Sequence, residues 1–164
     1  MSARSHALLA DDMGLGKTLQ AILSIPSGAR VIYLTSATLK LQVKAEIEKL
    51  RPDLKAEVAY GKDGFRPPAS GEVVIVNYDI LPQVFHPLDK GCESSLTPES
   101  WVRSLKETLL IGDEVHNCKN PKAIKSKRTR VLSKLCHRVW HRLLLRDAPR
   151  DPEVRQAAGG AGLR

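Results

Sequence analysis

Short apolar runs alternate with segments of helical period along most of this chain. Leu8–Ala10 reads as a first strand, and Thr18–Leu23 as a helix that leaves a glycine-rich turn and stops near Pro26. Val31–Leu34 is a second buried strand, rich in β-formers. Leu39, Val43, Ile47 and Leu50 then recur at helical spacing, with Lys40, Lys44, Glu48 and Lys49 on the remaining surface, so an amphipathic helix is predicted up to Arg51-Pro52. Glu57–Tyr60 and Val73–Val76 are two further strands, separated by a Gly/Pro-rich loop that runs through Gly71. Residues 82–96 read as an irregular loop. Thr97-Pro98 starts another helix, with Thr97 as its cap and with Trp101 and Leu105 as core anchors rather than a base-stacking platform. Leu109–Gly112 is a buried strand, Ala123–Leu135 a helix, and Arg138–Trp140 begins one more strand. Strands that alternate with helices predict an α/β fold with a doubly wound, mostly parallel sheet and ligands at the carboxyl ends of the strands.

Two motifs sit at such ends. The first strand runs into Asp11-Asp12-Met13-Gly14-Leu15-Gly16-Lys17-Thr18. Gly14 and Gly16 let the backbone bend sharply and bring N–H groups close to phosphate oxygens. Lys17 supplies a charge for the outer phosphates, and the Thr18 hydroxyl can ligate Mg²⁺. The strict phosphate-loop pattern wants glycine five residues before Gly16, where Asp11 stands. The second motif is Asp113-Glu114-Val115-His116, delivered by the strand Leu109–Gly112. Its first carboxylate suits the magnesium shell, and its second can polarise a water for in-line attack on a γ-phosphate. Either motif alone has a structural explanation, as a tight turn or as an acidic helix cap. Together in one short chain they point to a nucleotide hydrolase.

At these residues the chain resembles the Swi/Snf-type ATPases of helicase superfamily two, especially their annealing-helicase-like branch. The first block is similar to motif I of that family, whose own form accounts for Asp11. Ala37-Thr38-Leu39-Lys40-Leu41 with Lys44–Lys49 resembles motif Ia, Val74-Ile75-Val76-Asn77-Tyr78-Asp79 resembles motif Ib, and Asp113–Ala123 resembles motif II with its Lys-Asn-Pro-Lys-Ala extension. The resemblance implies the N-terminal RecA-like lobe of such a protein, a P-loop NTPase three-layer sandwich, incomplete. It implies ATP and Mg²⁺ as cofactors. Asp12, Met13, Gly14, Leu15, Gly16, Lys17, Thr18, Asp113 and Glu114 would bind the nucleotide, Thr18 and Asp113 would hold the metal, and Lys17 and Glu114 would be catalytic. It also implies a nucleic-acid partner, double-stranded DNA, reached by Ser36, Thr38, Lys40 and Asn77.

The chain departs from the family at Ser36 (usually Pro), Val43 (usually Trp) and Val115 (usually small), none of them a catalytic group. After Trp140 the resemblance stops. The expectation is a lobe over 1–145 and a disordered tail over 146–164, with the second lobe and its arginine finger missing here and carried, if anywhere, by another chain. A shift of one nucleotide through Leu145–Pro149 can encode Ser-Gly-Thr-Pro, the family's motif III, so the tail is read as frameshifted or otherwise truncated. Slow or absent independent turnover follows from the same reading.

Composition refines this picture. The 164 residues carry a net charge of +8, and Lys119, Lys122, Lys125, Lys127, Arg128, Arg130 and Lys134 fall in one stretch without an acid. That stretch is either a solvated helix face or a phosphate-facing stripe, with Lys125, Lys127 and Arg128 as nucleic-acid candidates. Cys92, Cys118 and Cys136 lack metal or disulfide spacing and read as reduced thiols, although His116, Cys118, Cys136 and His137 could be drawn as a zinc set. No apolar run approaches a membrane span, so no membrane is expected as a partner and an intracellular location is: cytoplasmic in a prokaryote or phage, nuclear in a eukaryote. The alternative function is a non-catalytic fragment that binds nucleic acid or a protein partner. A small nucleotide kinase would lack an arginine-rich lid and leave the motif Ib and II blocks unexplained.

Overall fold

A computed structural model describes residues 6–11, 17–61, 63–86, 96–113, 118 and 120–144. Its strands are β1 (His6–Asp11), β2 (Arg30–Thr35), β3 (Lys55–Val58), β4 (Glu72–Asn77), β5 (Thr108–Gly112) and β6 (Arg138–Leu144), and its helices are α1 (Lys17–Leu23), α2 (Lys40–Leu50), α3 (Glu99–Leu105) and α4 (Ile124–Leu135). The strands form one sheet in the order β1-β6-β5-β2-β4-β3, and every pairing is parallel. This is the expected doubly wound sheet.

Parallel strands are buried on both faces, which is why β2, β4 and β5 read as nearly unbroken apolar runs. Alternate residues of each strand serve opposite layers. Val31, Tyr33, Val73, Ile75, Leu109 and Ile111 pack with Ile22 of α1 and with Val43 and Ile47 of α2. Ile32, Leu34, Val74, Val76, Leu110 and Val139 pack with Leu105 of α3 and with Val131, Leu132 and Leu135 of α4. The result is a three-layer sandwich, with α1 and α2 on one face and α3 and α4 on the other.

Most elements start or stop within two residues of expectation, and the differences have local causes. β3 occupies Lys55–Val58 rather than Glu57–Tyr60: the Ala59 N–H makes the last ladder bond, to the Ile75 carbonyl, and Tyr60 lies exposed beyond it. Thr97 does not cap α3. Its hydroxyl donates to the Val84 carbonyl at 2.8 Å and ties the helix start to a short 3-10 turn, Gln83–Phe85. Trp101 sits half-buried against Phe65 and Phe85, with ring centroids 5.4 and 6.2 Å away, as a core anchor. β6 continues to Leu144, four residues beyond Trp140, and pairs with β1 as far as Asp11. The expected tail, 146–164, lies outside the described residues.

Two charged clusters fix the margins. The Arg51 guanidinium binds Asp53 and donates to the Ile22 and Ile25 carbonyls, which closes the end of α1 against the end of α2. At the edge strand β3, Arg66 bridges Glu72 (2.5 Å) and Glu57 (2.6 Å), and Lys55 also pairs with Glu57. Charges on an edge strand discourage pairing with another chain.

Glu72 is almost buried beneath Arg66, whose hydrogen bonds hold its carboxyl down at about 2, well below the roughly 4.3 of a free glutamate. A depressed carboxylate stabilises the fold above its unfolded pKa, and that contribution is lost as pH falls towards the folded value. Denaturant titrations from pH 5 to pH 2 are expected to show the parent losing stability steeply through this window. Glu72→Gln should start lower and lose less, so parallel curves for the two proteins would contradict the assignment.

Candidate nucleotide site and neighbouring basic face

The site is built at the carboxyl end of the sheet, because parallel strands bring all their outgoing turns to one side. Register sets its width. Gly112 of β5 pairs with His141 of β6, and His141 pairs with Leu8 of β1. β6 therefore lies between the strand that delivers Asp113 and the strand that enters the glycine-rich turn. Two strand spacings separate these ends, roughly 10 Å.

Asp113 is the best-defined member. It follows Leu109 and Ile111 on the α1/α2 face and is only 2% exposed. Its N–H extends the β2–β5 ladder by donating to the Leu34 carbonyl at 2.8 Å. The Tyr33 hydroxyl donates to its Oδ2 at 3.3 Å, and the Tyr78 hydroxyl donates to its backbone carbonyl at 2.6 Å. Thr18 lies half-buried in the first turn of α1, on the same face of the sheet. A carboxylate and a hydroxyl are hard oxygen donors, and this donor chemistry suits Mg²⁺ rather than a thiophilic metal. Lys17 is the first residue of α1. Asp12, Met13, Gly14, Leu15, Gly16 and Glu114 lie outside the described residues, as does His116 of the imagined zinc set.

The expected nucleic-acid residues divide. Ser36 and Thr38 stand in the turn after β2, half-buried and exposed, with their hydroxyls 3.1 Å apart. Lys40 is not presented to solvent. Its side chain folds inward, donates from Nζ to the Ala59 carbonyl at 3.0 Å and lies over the Tyr60 ring at 4.8 Å. Burial pushes its pKa down. The helical pattern put Lys40 on a wet face because its Cα is near the surface; its long stem reaches the loop after β3 instead. Asn77, at the end of β4, is buried as well. On α4, the Lys125 ammonium faces Asp79 at 3.8 Å, Arg128 donates to the Leu81 carbonyl at 2.7 Å, and Lys127 is half-buried. Among the described residues, the cations that α4 and its approach turn outward are Lys122, Arg130 and Lys134.

Tyr33 and Tyr78 both bond Asp113, a role that motif reading did not assign, although Tyr78 stands within the block similar to motif Ib. A signal was available: the chain has three tyrosines, and two stand where a buried parallel strand or its exit would take an aliphatic residue. A buried hydroxyl needs a partner, and both find Asp113. The thiols are of a different kind. Burial pushes the Cys136 thiol up to about 12, and burial also raises that of the half-buried Cys118, so neither is activated towards a thiolate.

No protein-family model matches the chain. Curated relatives do match it. Helicase swr1 of Schizosaccharomyces pombe is 28% identical over 163 aligned residues, covering 90% of this chain and 11% of that protein. The DNA repair and recombination protein RAD54 of Oryza sativa subsp. japonica is 28% identical over 174 residues, with 93% of this chain and 16% of that protein covered. The SWI/SNF chromatin-remodeling complex subunit snf22 of Schizosaccharomyces pombe is 30% identical over 152 residues, with 88% and 8% covered. The chain thus spans between 8% and 16% of the length of these relatives. Among solved structures, the Sulfolobus solfataricus SWI2/SNF2 ATPase core in complex with dsDNA superposes with a TM-score of 0.55 at 22% identity, covering 90% of this chain and 29% of that one. At this identity the likeness is one of fold, and it is the RecA-like α/β fold described above. Kinship along about nine-tenths of its length and that common fold make the chain a homologue of the SWI2/SNF2 family of helicase-like ATPases.

Proposed function

We propose that this chain forms the ATP-binding lobe of a DNA-dependent ATPase of the helicase-like, DNA-translocating type, with Mg·ATP held between the β1–α1 turn and the end of β5. The observation that carries this reading is Asp113, buried and fixed at the carboxyl end of β5, with only β6 between it and the strand that leads into Gly14-Leu15-Gly16-Lys17-Thr18. The backbone of the glycine turn would cradle the phosphates, Lys17 would neutralise the outer ones, and Thr18 with Asp113 would hold the magnesium ion. Bound Mg²⁺ supplies charge neutralisation for the β- and γ-phosphates. Glu114, the next residue along the chain, would accept the proton of the attacking water.

Lys17→Ala is expected to abolish equilibrium binding of Mg·ATP. Glu114→Gln should keep binding and lose hydrolysis, since the amide retains the shape of the carboxylate and removes its basicity. Nucleotide affinity unchanged in Lys17→Ala would contradict the assignment.

The second reading, a nucleic-acid-binding face that works without ATP, is favoured by α4, whose approach and exposed side carry Lys122, Arg130 and Lys134. The two readings are compatible, because the RecA-like neighbour was solved on dsDNA. Neutralising phosphates releases counterions, so the slope of log affinity against log salt changes by about 0.9 for each duplex phosphate that is no longer neutralised. Charge reversal of Lys122, Arg130 and Lys134 to Glu should weaken duplex binding equally across sequences and reduce that slope. Lys40→Met should leave duplex binding unchanged, because its ammonium already serves the Ala59 carbonyl. A triple mutant with the salt slope of the parent would assign α4 to solubility.

A further inference from the structure

Asp113 is gripped from both faces of the sheet. Tyr33 reaches its carboxylate from the α1/α2 side, whereas Tyr78 belongs to the core on the α3/α4 side and bonds its backbone carbonyl. These two bonds do different things. The first orients a side chain. The second fixes the peptide plane that joins Asp113 to Glu114, and therefore the direction in which the chain leaves β5.

Tyr78 also opens a short segment that is attached to α4. It starts the 3-10 turn Tyr78–Ile80. The Asp79 carboxylate faces the Lys125 ammonium at 3.8 Å, and the Leu81 carbonyl accepts from Arg128 at 2.7 Å. Within four residues, one end of this segment holds the acidic motif and the other end is held by two cations of the basic helix. Lys125 is about one-third exposed and Asp79 about two-thirds exposed, at 35% and 70%, so a phosphate group arriving on α4 competes directly with Asp79 for Lys125. The Arg128 Nε is buried without a partner, which leaves a donor on the same link for which a change of position gains a bond.

We propose that Tyr78 is a positioning residue through which occupation of the α4 basic face by a nucleic-acid backbone is transmitted to the Asp113–Glu114 peptide. The proposal rests on the magnesium–nucleotide reading of the Asp113 site given above. It is a coupling between two sites, so it is reciprocal: duplex changes nucleotide affinity by the factor with which nucleotide changes duplex affinity.

The test is a binding square on the full chain, using a fluorescent ATP analogue with Mg²⁺ and a short DNA duplex, with each dissociation constant measured in the presence and absence of the other ligand. The parent is expected to show a coupling ratio of about fivefold or more, the lower end of the usual range for linked sites. Tyr78→Phe removes one hydroxyl, and its ratio should fall to one while each ligand still binds. Tyr33→Phe should weaken magnesium–nucleotide binding and keep the ratio, because its bond reaches the carboxylate from the other face. Asp79→Asn cuts the same route at an exposed position, so it should also bring the ratio to one and decides the matter if Tyr78→Phe fails to fold. A parental ratio of one, or a parental ratio retained in Tyr78→Phe or in Asp79→Asn, overturns the proposal. Loss of the parent's nucleotide binding, or its persistence in Lys17→Ala, marks failure of the nucleotide reading itself, and the coupling falls with it.

Discussion

An all-parallel sheet must be covered on both faces, and each of its strands must be reached by a crossover. Nearly everything in this protein depends on that constraint. Crossovers of one hand carry the chain from the carboxyl end of one strand to the amino end of another, so the functional turns collect along a single edge. Covering both faces requires strands apolar on both sides, which is why Val31–Leu34, Val73–Val76 and Leu109–Ile111 carry scarcely a polar atom. The polar groups that remain are concentrated where strands end: Thr35, Asn77 and Asp113 are all buried at the carboxyl edge.

A buried carboxylate is costly unless its oxygens are met by donors. At Asp113 the Tyr33 hydroxyl meets Oδ2, while the backbone of the same residue is held by the ladder bond of its N–H to the Leu34 carbonyl and by the Tyr78 hydroxyl on its carbonyl. The sheet thus spends two of its largest core residues on one acidic side chain and the peptide that follows it. Such an arrangement serves little purpose for a carboxylate that only caps a helix. It suits a group whose position against the end of β1, two strands across the sheet, has to be fixed.

Much of this was legible in the sequence because the signals were local. Continuous apolar runs separated by amphipathic segments predicted the alternation of strands and helices, and the runs that precede Gly-Lys-Thr and Asp-Glu are strands, β1 and β5. What could not be read were consequences of long-range geometry. Lys40 sits at a helix start with a solvent-facing pattern, yet its ammonium serves a carbonyl 19 residues away. Thr97 has the residue type of a helix cap but bonds Val84 across the loop. Tyr33 and Tyr78 meet Asp113 across separations of 80 and 35 residues, and no spacing rule joins positions so far apart. The α4 stripe was legible as charge, but only packing distinguishes Lys125 and Arg128, engaged with the 78–81 segment, from Lys122, Arg130 and Lys134, which face outward.

The central claim is that two segments about 100 residues apart in sequence form one site for a magnesium-bound nucleotide. Hydrogen–deuterium exchange with and without Mg·ATP tests it most directly, since it reads backbone protection at each segment independently. Residues 12–18 and residues 113–114 are expected to gain protection together, and both effects are expected to vanish when Mg²⁺ is withheld. Protection confined to α4, or no change at either strand end in the presence of saturating nucleotide, would contradict it.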